Sequence, residues 1–286
     1  MRRRRAPDRL RKAGILPDPG GTVNRAARSG ENAPVDGFEV VDIPGGRGLR
    51  HAGFASAGAP RHLFTMRPEE GAGLPTAEAA LGSQYPEGAR LAALNQVHGG
   101  RAVTADQALR SVRETGAPIE ADGVAGNDPG AVLAIRTADC VPILLADPGG
   151  AAAGAAHAGW RGTLAGVAAG TVRLLESDFN ARAERLVALL GPAIGPCCYV
   201  VGSDVAAPFA EAFGEKGVLR RAPGDAPRFA LDLIEANRRA LVAAGLARER
   251  IHATGLCTSC RRDLFPSRRA EGPPAGRLWS LIAPGA

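Results

Sequence analysis

The chain has 286 residues, of which 45% are hydrophobic and only 4% aromatic, so small aliphatic side chains must build its core. Its net charge of +6 is carried entirely by residues 1–12, with seven Arg or Lys against one Asp; the rest holds 28 basic and 28 acidic side chains. A charge-neutral body argues against nucleic-acid binding by the folded domain, no apolar stretch reaches the roughly 18–20 residues of a membrane span, and no apolar h-region follows the basic start.

Residues 1–36 are rich in Arg, Pro, Gly and Ala without apolar periodicity and read as a disordered basic arm. Ordered sequence begins near Phe38, and residues 37–286 read as one domain. Arg61–Arg67 reads as a strand, 68–89 as turn-rich, and Leu91–Val97 as apolar again. Ala131–Ile135 and Val141–Ala146 are strand-like, the second apolar enough to be covered on both faces. A turn at 147–150 leads into a small-residue strand, Ala151–Trp160. The period then changes. Thr163–Glu176 reads as a helix, Arg185–Leu190 as a strand, and Ser203–Phe213 as a helix capped by Ser203 or Asp204. Asp232–Ala244 reads as a helix stopped by Gly245, and Ile251–Cys257 and Leu278–Ile282 as strands. Strands and helices alternate through the second half, so the expected class is α/β, a single layered domain.

Three residues stand at strand ends beside turns, where α/β folds place their sites: His98, Cys140 and His157. One thiolate and two imidazoles suit zinc with a fourth position open, and zinc-bound water titrates near neutrality. Spacing alone is weak support: each His taken singly is more often a structural residue, a buried Cys is usually a small hydrophobe, and a Cys–His dyad would use the same residues as a nucleophile and base. Cys257-Thr258-Ser259-Cys260 is a CxxC read as structural because no second CxxC exists, and Cys197-Cys198 read as packing residues. Five cysteines without a secretory signal point to a reducing, cytoplasmic compartment. Candidates for an anionic substrate are Arg67, Arg161, Arg268 and Arg269, with Arg161 favoured beside a helix start.

The segments NQVHG (95–99), ADGVAG (121–126), TADCVPILLADP (137–148), AAHAGWRGTLAGV (155–167), GPAIGPCCY (191–199) and CTSC…LFPSRR (257–269) occur in one order. Together they resemble the laccase-domain family, also described as polyphenol oxidase or multicopper oxidase-like and regarded as purine nucleoside phosphorylases. The resemblance implies a layered α/β domain with mixed sheets. It implies that His98, Cys140 and His157 are catalytic and hold Zn²⁺, with Cu²⁺ as an adventitious or alternative metal. It also carries a phosphate-binding role to Arg67, in Phe64-Thr65-Met66-Arg67. The implied partners are phosphate and purine nucleosides (adenosine, inosine, methylthioadenosine), with adenosine deamination alongside. No nucleic acid or membrane partner is expected, and the assembly is expected to be a monomer or small homo-oligomer. Two features depart from the family: Val200 replaces the Glu that usually follows Cys-Cys-Tyr, and the early Gly-Gly-Val-Ser and Ser-Leu-Asn segments are missing from 68–89. The competing readings are a Cys140–His157 hydrolase or deamidase, a copper-dependent polyphenol oxidoreductase, for which five histidines are few, and an RNA-associated factor acting through its arm.

Overall fold

Val141–Ala146 is buried along its whole length, and so is Ala153–Ala158. Strands covered on both faces belong in the middle of a layered fold, and the chain builds one layer on each side of them. The computed structural model describes residues 37–285, except 45, 55–58, 68–75, 77–79, 81–84, 86, 150 and 225. The expected arm at 1–36 lies outside the described residues, as does most of 68–89.

The first sheet runs in the order β1 (Phe38–Ile43), β2 (Gly46–His51), β3 (Arg61–Thr65), β15 (Leu278–Ala283), β7 (Ala131–Thr137) and β4 (Arg90–Ala93). The second runs β14 (Ile251–Ala253), β10 (Val187–Leu190), β8 (Val141–Ala146), β9 (Ala153–Ala158), β6 (Gly123–Gly126) and β5 (Ala102–Thr104). Both are mixed: β4–β7, β10–β14 and β5–β6 pair parallel, and the other neighbours antiparallel. A small antiparallel sheet joins β11 (Val200–Gly202), β13 (Arg228–Leu231) and β12 (Leu219–Arg221). The helices are α1 (Ala105–Thr115), α2 (Trp160–Leu164), α3 (Val167–Phe179), α4 (Ser203–Phe213), α5 (Leu233–Ala243) and α6 (Arg268–Glu271).

The pleat of β8 shows how the layers meet. Leu144 packs with Phe64, Leu133, Ile135 and Ile282 between the two large sheets. Its neighbours Ile143 and Leu145 face the other way, into a core with Val172, Leu175, Phe209 and Leu241 from the helices. The small residues of β6 and β9 let α3 approach closely. A Cβ on Gly123 would sit 2.4 Å from Thr171 Oγ1, and one on Gly154 would sit 3.0 Å from Thr171 Cγ2. No helix among the described residues is long and apolar enough to cross a membrane.

The layered α/β expectation holds, with local differences that have physical causes. The helix expected at Thr163–Glu176 is two helices, α2 and α3, broken at Gly166, whose φ of 76° is left-handed. α4 has Gly202 as N-cap with no side-chain bond, whereas α5 is capped by the Asp232 carboxylate accepting from Glu235 N–H. The strand expected at 251–257 ends at Ala253, and the one expected from 185 begins at Val187 after a 3-10 turn. α1 has no counterpart in the expected elements. A capping box of Thr104 and Gln107 opens it and left-handed Gly116 closes it. Gly123→Ala should destabilise the fold by about 1–3 kcal/mol, because Thr171 and Ala102 cannot both retreat. Urea denaturation of the variant against the parent measures it; an unchanged midpoint would contradict the close approach of α3.

Candidate functional site

Cys140 and His157 meet through strand register. In the β8–β9 ladder Val141 pairs with Ala158 and Pro142 with His157. A Cβ on Gly159 would lie 2.8 Å from Cys140 Sγ and 3.2 Å from His98 Cδ2, so only glycine leaves the sulfur its place. His98 reaches the same point from the loop after β4. That loop is wrapped around one buried carboxylate: Asp122 accepts the N–H groups of Val97 (3.2 Å), His98 (3.0 Å) and Gly99 (2.7 Å). His98 is held with φ at 64°, a left-handed conformation that costs a non-glycine residue energy.

The Asp122 carboxylate also accepts a 2.8 Å hydrogen bond from His157 Nδ1, which leaves His157 Nε2 for the cleft. The donor atoms of His98, Cys140 and His157 lie within 4.8 Å of one another. Burial alone would push the Cys140 thiol up and the His157 imidazolium down. The bond that the His157 ring donates to Asp122, the Cys140–His157 hydrogen bond and the bond from His98 to the thiol reverse both. Cys140 falls to about 7 and His157 rises to about 9. Burial opposes ionisation of Asp122 too, but its bonds from His157 and Gly99 hold the carboxyl below the ordinary range.

A second carboxylate fixes the segment before Cys140. Asp139, at φ 85°, accepts from the Thr258 hydroxyl and from Arg269 N–H, both at 2.6 Å, while its carbonyl accepts from Ile194 N–H at 2.9 Å. Around the three donors opens a cleft of about 840 Å³. Its wall includes Gln96, Tyr199 and four arginines, Arg136, Arg268, Arg269 and Arg277. Gln96 bonds the N–H and C=O of Arg136 at 2.8 and 2.9 Å. The Arg269 guanidinium lies 5.0 Å over the Tyr199 ring. Burial raises the Tyr199 phenol to about 12, so it stays protonated and can donate.

The structure thus brings His98, Cys140 and His157 together in one cleft, with Arg268 and Arg269 on its wall. Arg67 and Arg161 do not line it. Arg67 pairs with Glu271 of α6 and its N–H donates to Leu264 O; Arg161 is exposed and stacks 4.3 Å from the Trp160 ring. Asp122, Arg136 and Arg277 are new from the structure. Asp122 stands in ADGVAG, where the need of a metal-binding imidazole for a carboxylate partner is the signal. Arg136 is the one exposed residue of β7, a charge in an otherwise buried run. Nothing in the sequence separates Arg277 from the other arginines. Cys198 packs against the helical core, as does Cys257 of the CxxC; what the sequence did not show is that the fold puts the sulfurs of Cys197, Cys198, Cys257 and Cys260 within 4.8 Å of one another.

In metal-free protein the His157–Asp122 pair should make stability depend on pH. The folded pKa of His157 lies above its unfolded value, so its contribution is full below about 6.5 and is lost as pH rises toward about 9. The Cys140 thiol, lowered to about 7, contributes in the opposite sense over the same interval, so unfolding at pH 6 and pH 9 should show the His157 loss in Cys140→Ser and a flatter profile in Cys140→Ser/Asp122→Asn. Equal pH slopes in the two would remove the pair as its source.

The described chain can be set beside known proteins. Residues 76–284 match the family described as multi-copper polyphenol oxidoreductase laccase. A protein named purine nucleoside phosphorylase from Deinococcus radiodurans is 41% identical over 206 residues, 71% of this chain and 73% of that one. Purine nucleoside phosphorylase YlmD from Geobacillus stearothermophilus is 38% identical over 161 residues; the match spans 56% of this chain and 59% of that protein's length. The crystal structure of YlmD from that organism superposes with a TM-score of 0.73 at 29% identity, covering 88% of this chain and all of that one.

Proposed function

The chain belongs to the multi-copper polyphenol oxidoreductase laccase family, and from that membership we propose that it is a zinc-dependent purine nucleoside phosphorylase. One observation carries the reading: a Cys/His/His donor set shares one cleft with four arginines. The names borne by the Deinococcus and Geobacillus relatives support the nucleoside half of it.

The donors fit a metal ion. One thiol already biased toward thiolate and two imidazoles are zinc ligands in kind and number, with room for a fourth. His98, Cys140 and His157 would hold it, and Asp122 would fix the His157 tautomer. Zinc bound there supplies Lewis acidity to the cleft. The chain's own groups do the rest. Arg136, Arg268, Arg269 and Arg277 bind and orient phosphate, guanidinium being suited to bidentate contact with its oxygens. Arg161, within electrostatic range of Tyr199, and Arg67, linked to α6 through Glu271, add to the positive field behind that wall without lining the cleft. A phosphate oxygen forms its bond to the ribose C1′ as the bond from C1′ to the purine nitrogen breaks, with positive charge developing on the sugar. The Tyr199 hydroxyl, kept protonated by burial, donates a hydrogen bond to the departing base.

Adenosine or inosine with phosphate should give free base and ribose 1-phosphate, followed by chromatography. Cys140→Ala should lower kcat rather than only raise KM, since it alters the site of chemistry. Arg269→Ala should raise the KM for phosphate by a factor of 10 or more and leave any adenosine deamination nearly unchanged. Folded, zinc-loaded protein that releases no base from adenosine, inosine or methylthioadenosine would overturn the reading. The Cys140–His157 ion pair favours one competitor, a metal-independent hydrolase. Activity that survives complete zinc removal would select it.

A further inference from the structure

The second sulfur cluster lies apart from the cleft donors, at the edge of the helical core against which Cys198 and Cys257 pack. It joins two turns far apart in sequence. In Gly195-Pro196-Cys197-Cys198-Tyr199 the N–H groups of Cys198 and Tyr199 both donate to Gly195 O at 3.0 Å. In Cys257-Thr258-Ser259-Cys260 the turn is closed by Arg261 N–H on Cys257 O at 2.9 Å. Backbone bonds lay the turns side by side: Ala193 N–H donates to Leu256 O, and Thr258 N–H donates to Ala193 O. Gly195 N–H also donates to Cys257 Sγ at 3.2 Å. That contact is strongest when the sulfur is a thiolate.

Cys260 Sγ lies 3.5 Å from Cys197 Sγ and 3.4 Å from Cys198 Sγ. A redox dithiol would single out one pair, yet Cys260 stands nearly equidistant from two sulfurs. Packing accounts for only part of the cluster: Cys198 and Cys257 touch the core, whereas Cys260 is exposed. Four sulfurs around zinc, each at about 2.3 Å in a tetrahedron, stand roughly 3.8 Å apart, close to what the fold already presents.

We propose that Cys197, Cys198, Cys257 and Cys260 form a second metal site, a closed four-thiolate zinc centre. With all four positions filled by protein it has no place for substrate, and its role is structural. Each thiol gives up its proton to solvent as the ion binds. The site staples the turn carrying Tyr199, on the cleft wall, to the turn carrying Thr258, whose hydroxyl holds Asp139 beside Cys140. The proposal does not rest on the phosphorylase reading, because it concerns ligands outside the cleft donors.

The test is zinc content of the full-length chain purified without chelator. The His98→Ala/Cys140→Ala/His157→Ala variant should keep one zinc per chain. Exchanging that zinc for cobalt should give the intense thiolate-to-cobalt charge-transfer and visible bands of a tetrahedral sulfur site. Cys197→Ser/Cys260→Ser should lose this equivalent, with a lowered Tm, and keep the metal of the cleft. Should that variant fail to fold, stepwise titration of the triple variant with a mercurial decides instead: about four thiols should react per zinc released. A metal-free triple variant, a site holding copper in place of zinc, or a disulfide at Cys260 in protein alkylated without reductant would each overturn the assignment.

Discussion

One fully buried carboxylate holds the candidate site in shape. Asp122 has four hydrogen-bond donors to satisfy it, three from the backbone at 97–99 and one from the His157 ring. The backbone bonds bend the loop so that His98 turns left-handed into the cleft, and the ring bond chooses which nitrogen of His157 faces outward. One side chain therefore sets two of the three donor positions. A buried charge is tolerable only because it is so fully bonded. A residue in its place that cannot accept these bonds would release three amides of a solvent-facing loop and leave the buried His157 ring without a partner, the latter at a cost of about 1–3 kcal/mol.

Asp139 does for the third donor what Asp122 does for the others. Its carboxylate and carbonyl tie the segment before Cys140 to three separate stretches, those carrying Ile194, Thr258 and Arg269. Two acidic residues at the base of a cleft walled by four arginines give it a divided field. The acids are consumed by internal bonds, while the four arginines line the open volume, with Arg269 and Arg277 steadied by bonds to backbone carbonyls. An anion thus meets the positive wall without meeting the negative floor.

The layered α/β class was legible from β8, an apolar run too continuous for a half-exposed strand, and from the change to helical period after Trp160. The break at Gly166 was not, because the hydrophobic spacing continues through it; only the left-handed backbone marks the end of α2. α1 was legible yet passed over: Ala105, Ala108, Leu109 and Val112 stand at helical spacing behind the Thr104-x-x-Gln107 start, in a segment that is otherwise polar. His98, Cys140 and His157 were legible as strand-end residues, yet nothing in their spacing showed that they meet. The meeting of the four outer cysteines was not legible, because sequence arguments look for two CxxC pairs. Here a vicinal pair at 197–198 takes the place of one, and only the bridge at Ala193 and Cys257 reveals it. Arg67 and Arg161 looked best by context, but side-chain direction decides which arginines line a cleft.

The ladder between β8 and β9 also says what in this site can vary. Cys140 and His157 are neighbours because Val141 faces Ala158, and the connection that joins the strands lies at their far end, where Asp147 N–H bonds Ala152 O. Lengthening or shortening the hairpin tip at 147–152 would change the count of residues between the two donors and leave their contact untouched. Shifting the pairing by a single residue would keep the count and turn His157 to the opposite face of the sheet. The invariant of the site is thus a strand register, so a search for related sites by fixed Cys-to-His spacing would discard chains that differ only in the length of a surface turn.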